Sequence, residues 1–323
     1  MHPKKIVIIR NDHIGDLILS SCVFRELKMV YPKAKITAVV SDSNRPLIEK
    51  NRYIKEIVVI KYGRSFFKKF NKNLPLLLKL RKERFDLGID LRGDIVNSFI
   101  LFFIGAKYKI GLYRGFLSNI LLNFIWRRDS NKHESVNMIE MINKALNLNI
   151  KNNLPLIETD KNDKKELNEF ILKNKLKKFI CISPEANQPF MQWPLKEFDK
   201  IIKFLKKEYR DYKIILTGVD DVKLDWLSKR NPGIINLRRA NLRMVYLLFK
   251  KSNLVLGLDT GTTHLAWAGD SKLIAVLMPI SERVLEHTKP LGKNSRWVTG
   301  NGKIVKADRV IKEIRKVLGK VKH

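Results

Sequence analysis

Two short stretches carry residue types suited to chemistry. In the first, the apolar run Lys5–Arg10 (KIVIIR) gives way to a polar loop, then Gly15-Asp16, then an apolar segment of helical character. A buried strand feeding a helix places Arg10 and Asp16 at the rim of the first strand-to-helix turn, where open α/β sheets bind ligands. Asp16 has two readings. It is a first-turn acid complementing the helix dipole, or a general base that takes a substrate proton and acts chiefly through position. Arg10 neutralises a phosphate or holds that acid; the alternative is a solvated surface arginine.

The second stretch is LVLGLDTGTTHLAWAG, Leu254 to Gly269. A buried strand ends in Asp259, Thr260-Gly261-Thr262-Thr263 turns the chain, and His264 falls in the first turn of a helix. A helix start offers free N–H groups and a positive dipole end. Gly261 permits close backbone approach, and the threonine hydroxyls add donors. This is a diphosphate cradle, or an ordinary capped turn with His264 bonded locally. Two further strand-end loops supply candidates. Ser183 and Asn187, in SPEANQPFMQWP, can donate to phosphate oxygens, and Asp220, in LTGVDD, can accept from a ribose or base edge or simply serve a turn. Trp193 is expected to pack rather than stack on a ligand. The sequence holds no CxxC or HExxH metal-ligand spacing, no GxxxxGK[ST] loop and no GxSxG elbow, so neither a metal site nor a serine nucleophile is expected.

The elements that position these residues alternate strand and helix. Strands are read at KKIVIIR, KITAVVS, Ile57–Ile60, FDLGIDLRG, AKYKIGLYR, KFICIS, YKIILTG, GIINLRR, NLVLGL and KLIAVLMP. Helices are read at LILSSCVFRELKMVYP, Asn73–Glu83, HESVNMIEMINKALNL, Leu167–Leu176, PLKEFDKIIKFLKKEY, around Trp226, LRMVYLLFKKS with Asn241 as N-cap, and Ala307–Lys320. The polar segment 150–165 reads as a linker. Two consecutive βαβ arrays follow: doubly wound, Rossmann-like domains over 1–155 and 156–323 facing a cleft, the second closing with the terminal helix.

Bulk properties set limits. With 323 residues, 45% hydrophobic and 30% charged, the chain is long enough for two cores and too apolar for disorder. Its 64 Lys+Arg against 32 Asp+Glu give a net charge of +32, which suits polyanionic neighbours: nucleic acid, an anionic membrane surface or a phosphorylated substrate. A general bias toward Lys is the competing explanation. No recognised nucleic-acid-binding motif is present, so no specific nucleic acid is expected. Cys22 and Cys181 suggest a reducing compartment rather than a disulfide framework. The longest apolar runs, Ser98–Gly105 and Ile120–Trp126, fall far short of a bilayer span, and no signal peptide is evident. A cytoplasmic protein, at most peripheral to a membrane, is expected. The stretch from Phe66-Phe67 to Phe85, with Lys68, Lys69, Lys72, Lys79, Arg81, Lys82 and Arg84, either lies on an anionic surface or is a solvated helix face.

IIRNDHIGDLILSS, FDLGIDLRGDIVNS, KHESVNMIEMINKALNL, QWPLKEFDKII and LGLDTGTTHLAWAG together resemble the ADP-heptose:lipopolysaccharide heptosyltransferases, glycosyltransferase family nine. The likeness runs from about residue 4 to about residue 280. It implies a GT-B type fold and an inverting, metal-independent transferase without a cofactor, the nucleotide-sugar being a substrate. It implies a donor on the second domain and a phosphorylated glycolipid acceptor on the first, at the cytoplasmic face of the inner membrane. By the resemblance, Asp16 is the catalytic base and Arg10 a basic residue near the reaction centre. Asp259, Thr260, Gly261 and His264 hold the donor's diphosphate and sugar, and Asp220 stands where an acidic residue meets the nucleoside; Thr262, Ser183 and Asn187 are the further donor-side candidates that their own loops offer. Arg64, Arg92 and Arg114 are candidates for acceptor phosphates. One departure stands out: Met191 occupies the place of a basic residue two positions before Trp193-Pro194. This leaves room for a different nucleotide-sugar or acceptor, or for an inactive relative.

Overall fold

The computed structural model describes residues 2–61, 66–186, 188–278, 286–300 and 303–319, with backbone alone at 66–69. The chain divides into two units, Met1–Glu158 and Thr159–His323.

The first unit runs β1 (Lys5–Arg10), α1 (Ile14–Val30), β2 (Lys35–Val40), α2 (Arg45–Ile48), β3 (Glu56–Val59), α3 (Phe66–Lys82), β4 (Leu87–Asp90), α4 (Ile95–Phe103), β5 (Tyr108–Leu112), α5 (Phe116–Leu121), β6 (Phe124–Trp126) and α6 (Glu134–Leu146). Its strands form one parallel sheet ordered β3-β2-β1-β4-β5-β6. β1 is the central strand, Ile8 lying opposite both Ala38 and Ile89. A parallel strand covered by helices on both faces is apolar throughout, and Ile6, Val7, Ile8 and Ile9 are all fully buried. One face packs Val7 and Ile9 against Leu77, Phe85, Ile100 and Ile104.

The second unit runs α7 (Lys161–Lys173), β7 (Phe179–Ser183), α8 (Leu195–Glu208), β8 (Lys213–Gly218), α9 (Asp221–Arg230), β9 (Ile235–Arg238), α10 (Leu242–Lys251), β10 (Leu254–Leu258), α11 (Gly261–Ala268), β11 (Leu273–Leu277), β12 (Ser295–Thr299) and α12 (Ala307–Leu318). Its parallel sheet is ordered β12-β11-β10-β7-β8-β9. Read from the other edge, this repeats the order of the first sheet. Ile182, Trp193, Phe198, Ile202, Leu216, Leu256 and Val310 share one core cluster.

In each sheet the order of strand addition reverses between the first and fourth strands in chain order. Ligands bind outside the carboxyl ends of strands at such a switch point. The fold therefore singles out the ends of β1 and β4 in one unit and of β7 and β10 in the other.

Several expectations shift. Residues 161–165, read as linker, belong to α7, because Asp160 accepts from the N–H of Asn162 and Asp163 while Asp163 caps the N–H of Asp160 in return. α3 begins at Phe66 rather than Asn73 and carries Pro75 inside it. α1 starts at Ile14, so Asp16 lies in its first turn. The run Ile120–Trp126 breaks into the end of α5 and the edge strand β6, and β12 is a second edge strand whose mixed burial hides it from pattern reading. Asn241 caps α10 through the N–H of Arg243, as expected. Cys22 and Cys181 are buried and unbridged, and burial pushes the Cys22 thiol up to about 12 and Cys181 higher still, so neither is a nucleophile. Among the described residues, no helix is long and apolar enough to cross a membrane.

Candidate functional site

At the end of β1 the sequence places an arginine where the strand is still fully enclosed. Arg10 is 2% exposed. A buried guanidinium is tolerated only when paired, and this one is surrounded. Its Nη2 lies 3.0 Å from Asp16 Oδ1, its Nε 3.0 Å from Asp12 Oδ1 and its Nη1 3.8 Å from Glu134 Oε1. Nη1 also donates to the carbonyl of Leu91, just past β4. Burial works against the charge on Arg10, but the carboxylates of Asp12, Asp16, Glu134 and Asp90 outweigh it and raise its pKa. Burial likewise raises Asp12, against the pull of Arg10. Glu134 opens α6 and takes a second cation, Arg128, at 2.9 Å.

The three carboxylates nearest Arg10 differ in access. Asp12 and Glu134 side chains are 12% and 9% exposed, that of Asp16 36%. Asp12 and Glu134 neutralise the arginine from inside; Asp16 is held by it while facing outward. Asp16 is also the acid in the first turn of α1, so the geometry accommodates both readings.

The end of β4 supports the same corner. Asp90 is fully buried, and its Oδ1 accepts from the N–H of Arg92 (3.1 Å), the N–H of Gly93 (3.0 Å) and Asn97 Nδ2 (3.3 Å). Among the described residues its Oδ2 has no hydrogen-bond partner. Burial, outweighing these donors, raises its pKa to about 6. Asn97 and Asn11 exchange side-chain bonds of 3.0 Å in both directions, tying the first turn of α4 to the β1–α1 loop. Arg92 reaches the same network, with Nη1 3.4 Å from Asn11 Oδ1 and Nε 3.0 Å from Asp94. Arg114 Nε donates to the Gly93 carbonyl. Gly93 is required there: its φ is +69°, and a Cβ would lie 2.5 Å from Leu112 Cβ. Arg92 and Arg114 thus flank one loop. Arg64 lies outside the described residues.

In the second unit, Asp259 follows directly on β10 and Thr260 is the N-cap of α11. Thr260 Oγ1 is 2.9 Å from Thr262 Oγ1, so these hydroxyls pair with each other instead of capping the helix. The N–H groups of Gly261 and Thr262, in the first turn, have no intrahelical acceptor. Thr263 donates to the Leu258 carbonyl, fixing the turn. Gly257 must lack a side chain, since a Cβ would lie 2.6 Å from Thr263 Oγ1. His264 is 5% exposed, its Nε2 4.0 Å from Asp259 Oδ1. Asp259 Oδ2 accepts from Thr288 Oγ1 at 3.4 Å. At the neighbouring strand end, Ser183 Oγ is 2.6 Å from Thr217 Oγ1, and Ser183 sits opposite Gly257 in the register of β7 with β10. Asn187 lies outside the described residues.

Asp220 is committed locally. It accepts from the Lys223 N–H at 3.2 Å to cap α9 and pairs with Lys223 Nζ at 3.1 Å; these bonds lower its pKa. The loop before it is shaped by Glu185, whose carboxylate accepts from the N–H of Val219 (2.9 and 3.0 Å) and of Asp220 (2.8 Å). Trp193 is fully buried, donates to the Val305 carbonyl at 2.8 Å and meets Phe198 edge-on at 4.7 Å, so it packs, as expected.

Sequence reasoning passed over Asp12, Asp90, Glu134 and Glu185. Asp12 and Glu134 carried a faint signal as acids beside a strand end and a helix start. Asp90, at the end of a strand read from the sequence, carried the same faint signal; Glu185 carried none, because its significance depends on backbone N–H groups that only the folded loop brings to it.

Comparison with known proteins places this geometry. The description glycosyltransferase family 9 (heptosyltransferase) matches residues 74–315. Over 327 aligned residues the chain is 24% identical to lipopolysaccharide heptosyltransferase 2 of Escherichia coli (strain K12), covering 94% of this chain and 91% of that protein. The family 9 glycosyl transferase of Veillonella parvula DSM 2008 superposes with a TM-score of 0.85 at 18% identity, covering 98% of this chain and 97% of the other. The E. coli ADP-heptose lps heptosyltransferase II superposes at 0.80 and 22%, covering 97% and 98%. The fold is the GT-B type two-domain α/β fold of these enzymes, and the chain belongs to glycosyltransferase family 9, a glycosyltransferase.

Proposed function

We propose that this enzyme transfers a heptose from ADP-heptose to a phosphorylated acceptor of the lipopolysaccharide core, with inversion and without a metal ion. The single observation that carries the catalytic part is the outward-facing Asp16, oriented at 3.0 Å by a buried arginine at the switch point of the first sheet. The substrate pair is supported by the relatives named above, one an ADP-heptose lipopolysaccharide heptosyltransferase, another a lipopolysaccharide heptosyltransferase.

In this reading the acceptor hydroxyl attacks the anomeric carbon as Asp16 takes its proton. The bond from that carbon to the diphosphate breaks on the opposite face, and ADP departs with the electron pair. A single displacement inverts the anomeric centre. Arg10 fixes the orientation of Asp16 and supplies positive charge beside the forming bond. The first-turn N–H groups of α11, with the hydroxyls of Thr260 and Thr262 and with His264, meet the charge gathering on the diphosphate; Asp259 accepts from sugar hydroxyls. One such donor is typically worth about 10²–10³ in rate. Ser183 and Asn187 add donors to the phosphates, Asp220 offers its exposed edge to the nucleoside, and Arg64, Arg92 and Arg114 meet acceptor phosphates. Anionic lipid of the inner membrane's cytoplasmic face is the expected setting.

Met191 favours a second reading, in which the same transfer uses another nucleotide-sugar or glycan. It brings no charge to a place where the family resemblance implies a basic residue.

The test is release of nucleoside diphosphate from ADP-, UDP-, GDP- and CDP-sugars with a heptose-deficient core acceptor, in the presence and absence of EDTA. ADP-heptose alone should turn over, EDTA should not slow it, and Asp16→Ala should cut kcat by about 10²–10⁴. Unchanged turnover in that variant removes Asp16 as the base, and preference for another nucleotide establishes the second reading.

A further inference from the structure

The first unit carries an apolar, basic surface that, Arg114 apart, the reaction above does not use. From Ile95 to Arg128 the sequence contains no Asp or Glu, while Lys107, Lys109, Arg114, Arg127 and Arg128 fall within it, Lys107 and Arg128 being paired with Asp86 and Glu134 from outside the segment. α3 is also free of acids. On α5, Phe116, Leu117 and Ile120 are 73%, 53% and 59% exposed, whereas Ser118 and Leu121 of the same helix are buried. The short helix therefore turns its largest apolar side chains outward. Phe102 of α4 and Leu78 of α3 are half exposed as well. α3 and α4 are packed together through Phe70, whose ring meets those of Phe99 and Phe103 edge-on at 5.4 and 4.9 Å. Lys72, Arg81 and Lys82 of α3 are exposed, and Lys79, also exposed, sits 3.6 Å from Glu56.

We infer that α5, with the adjoining exposed residues of α3 and α4, is a docking surface for an anionic lipid bilayer. Large outward-facing apolar side chains alone would fit many occupants. Acid-free helices with lysine and arginine about them select one: apolar side chains enter the boundary between headgroups and acyl chains while the cations meet lipid phosphates. The position is informative too. Arg114, two residues before Phe116, is bonded to the Gly93 carbonyl in the loop that also carries Arg92. Docking α5 sets that loop at the membrane surface, where a lipid-anchored acceptor presents its phosphorylated head. This part rests on the glycolipid acceptor proposed above; the docking itself does not.

The test uses the full chain with extruded vesicles of phosphatidylethanolamine and phosphatidylglycerol, and with phosphatidylcholine vesicles as the neutral control. The wild type should co-sediment with the anionic vesicles alone, less so as salt rises. The combined variant Phe116→Ser, Leu117→Ser, Ile120→Ser should lower the bound-to-free ratio by about tenfold or more. It should keep wild-type turnover of a lipid-free core oligosaccharide and lose turnover of vesicle-embedded acceptor. Should it fail to fold, Lys72→Glu with Lys82→Glu reads the electrostatic half and should weaken binding severalfold. Vesicle binding equal to wild type in both variants overturns the inference, as does equal binding to neutral vesicles. Self-association that the apolar variant abolishes, without vesicle binding, assigns the face to a second copy of the chain and overturns it equally. Vesicle binding that behaves as expected, with no turnover of either acceptor, leaves the docking surface standing and refutes the proposed function.

Discussion

Arg10→Met tests the electrostatic heart of the first unit. The substitution preserves much of the side chain's volume and removes its charge from among Asp12, Asp16 and Glu134. At 3.0 Å and an effective dielectric near 20, each close pair attracts by about 5 kcal/mol, but most of that offsets desolvation. The cost that survives is of leaving Asp12 buried without its close cation, about 3–5 kcal/mol, since Glu134 keeps Arg128. Asp16 is exposed enough to add at most about 1 kcal/mol, and the Leu91 carbonyl loses a donor worth about 1 kcal/mol. A loss of about 4–7 kcal/mol is a large part of the roughly 5–15 kcal/mol available to a domain and should lower its Tm by about 10–25 °C. The pH dependence fixes the cause. Without the arginine, the burial that already raises Asp12 loses its main offset, so its folded-state pKa lies further above the unfolded one and the penalty is full above the folded value and relieved as pH falls. Urea unfolding at pH 7.5 and pH 5 should show the gap to wild type narrowing at the lower pH. Arg10→Lys should recover part of the stability but little of the activity, since a point charge cannot engage three carboxylates and a carbonyl from the place of a planar fork. A Met variant within about 1 kcal/mol of wild type at pH 7.5, or a gap that widens at pH 5, refutes the reasoning.

Two further perturbations probe the loops. Asp90, raised from its ordinary value of 3.8 to about 6, contributes stability below pH 4 that is lost as pH rises to 6, at most about 3 kcal/mol. Asp90→Asn should lack this loss, so its stability relative to wild type should improve between pH 4 and pH 7; a constant difference in urea midpoints contradicts the assignment. Gly257→Ala would force its Cβ toward Thr263 Oγ1, costing about 1–3 kcal/mol by overpacking. It should also weaken ADP binding in calorimetry, and unchanged ADP affinity would separate the Thr263 turn from the donor site.

How far the sequence carried the reading follows from sequence distance. β1, β10 and the turn at Asp259 are contiguous signals, apolar runs meeting small polar residues, and they stand where the pattern put them. The capping of α7 was equally local, but a proline and a run of polar residues just before it made Lys161–Lys165 look like linker. The arginine-centred cluster was legible only at Arg10 and Asp16. Glu134 joins it from 124 residues away and Leu91 from 81, and no periodicity reports such a meeting. β6 and β12 escaped for a different reason: edge strands are half wetted, so their residues lack the unbroken apolar signature of the central strands.

The loop after β7 has one more consequence. Its closure runs through Gln192, whose amide nitrogen donates to the carbonyls of Pro184 and Trp193 while its oxygen accepts from the Ala186 N–H. Next door, the side chain at 191 takes no share of that clasp. Substitution at 191 therefore leaves the clasp intact, and in the proposed transfer this position can change character while the scaffold beneath stays untouched.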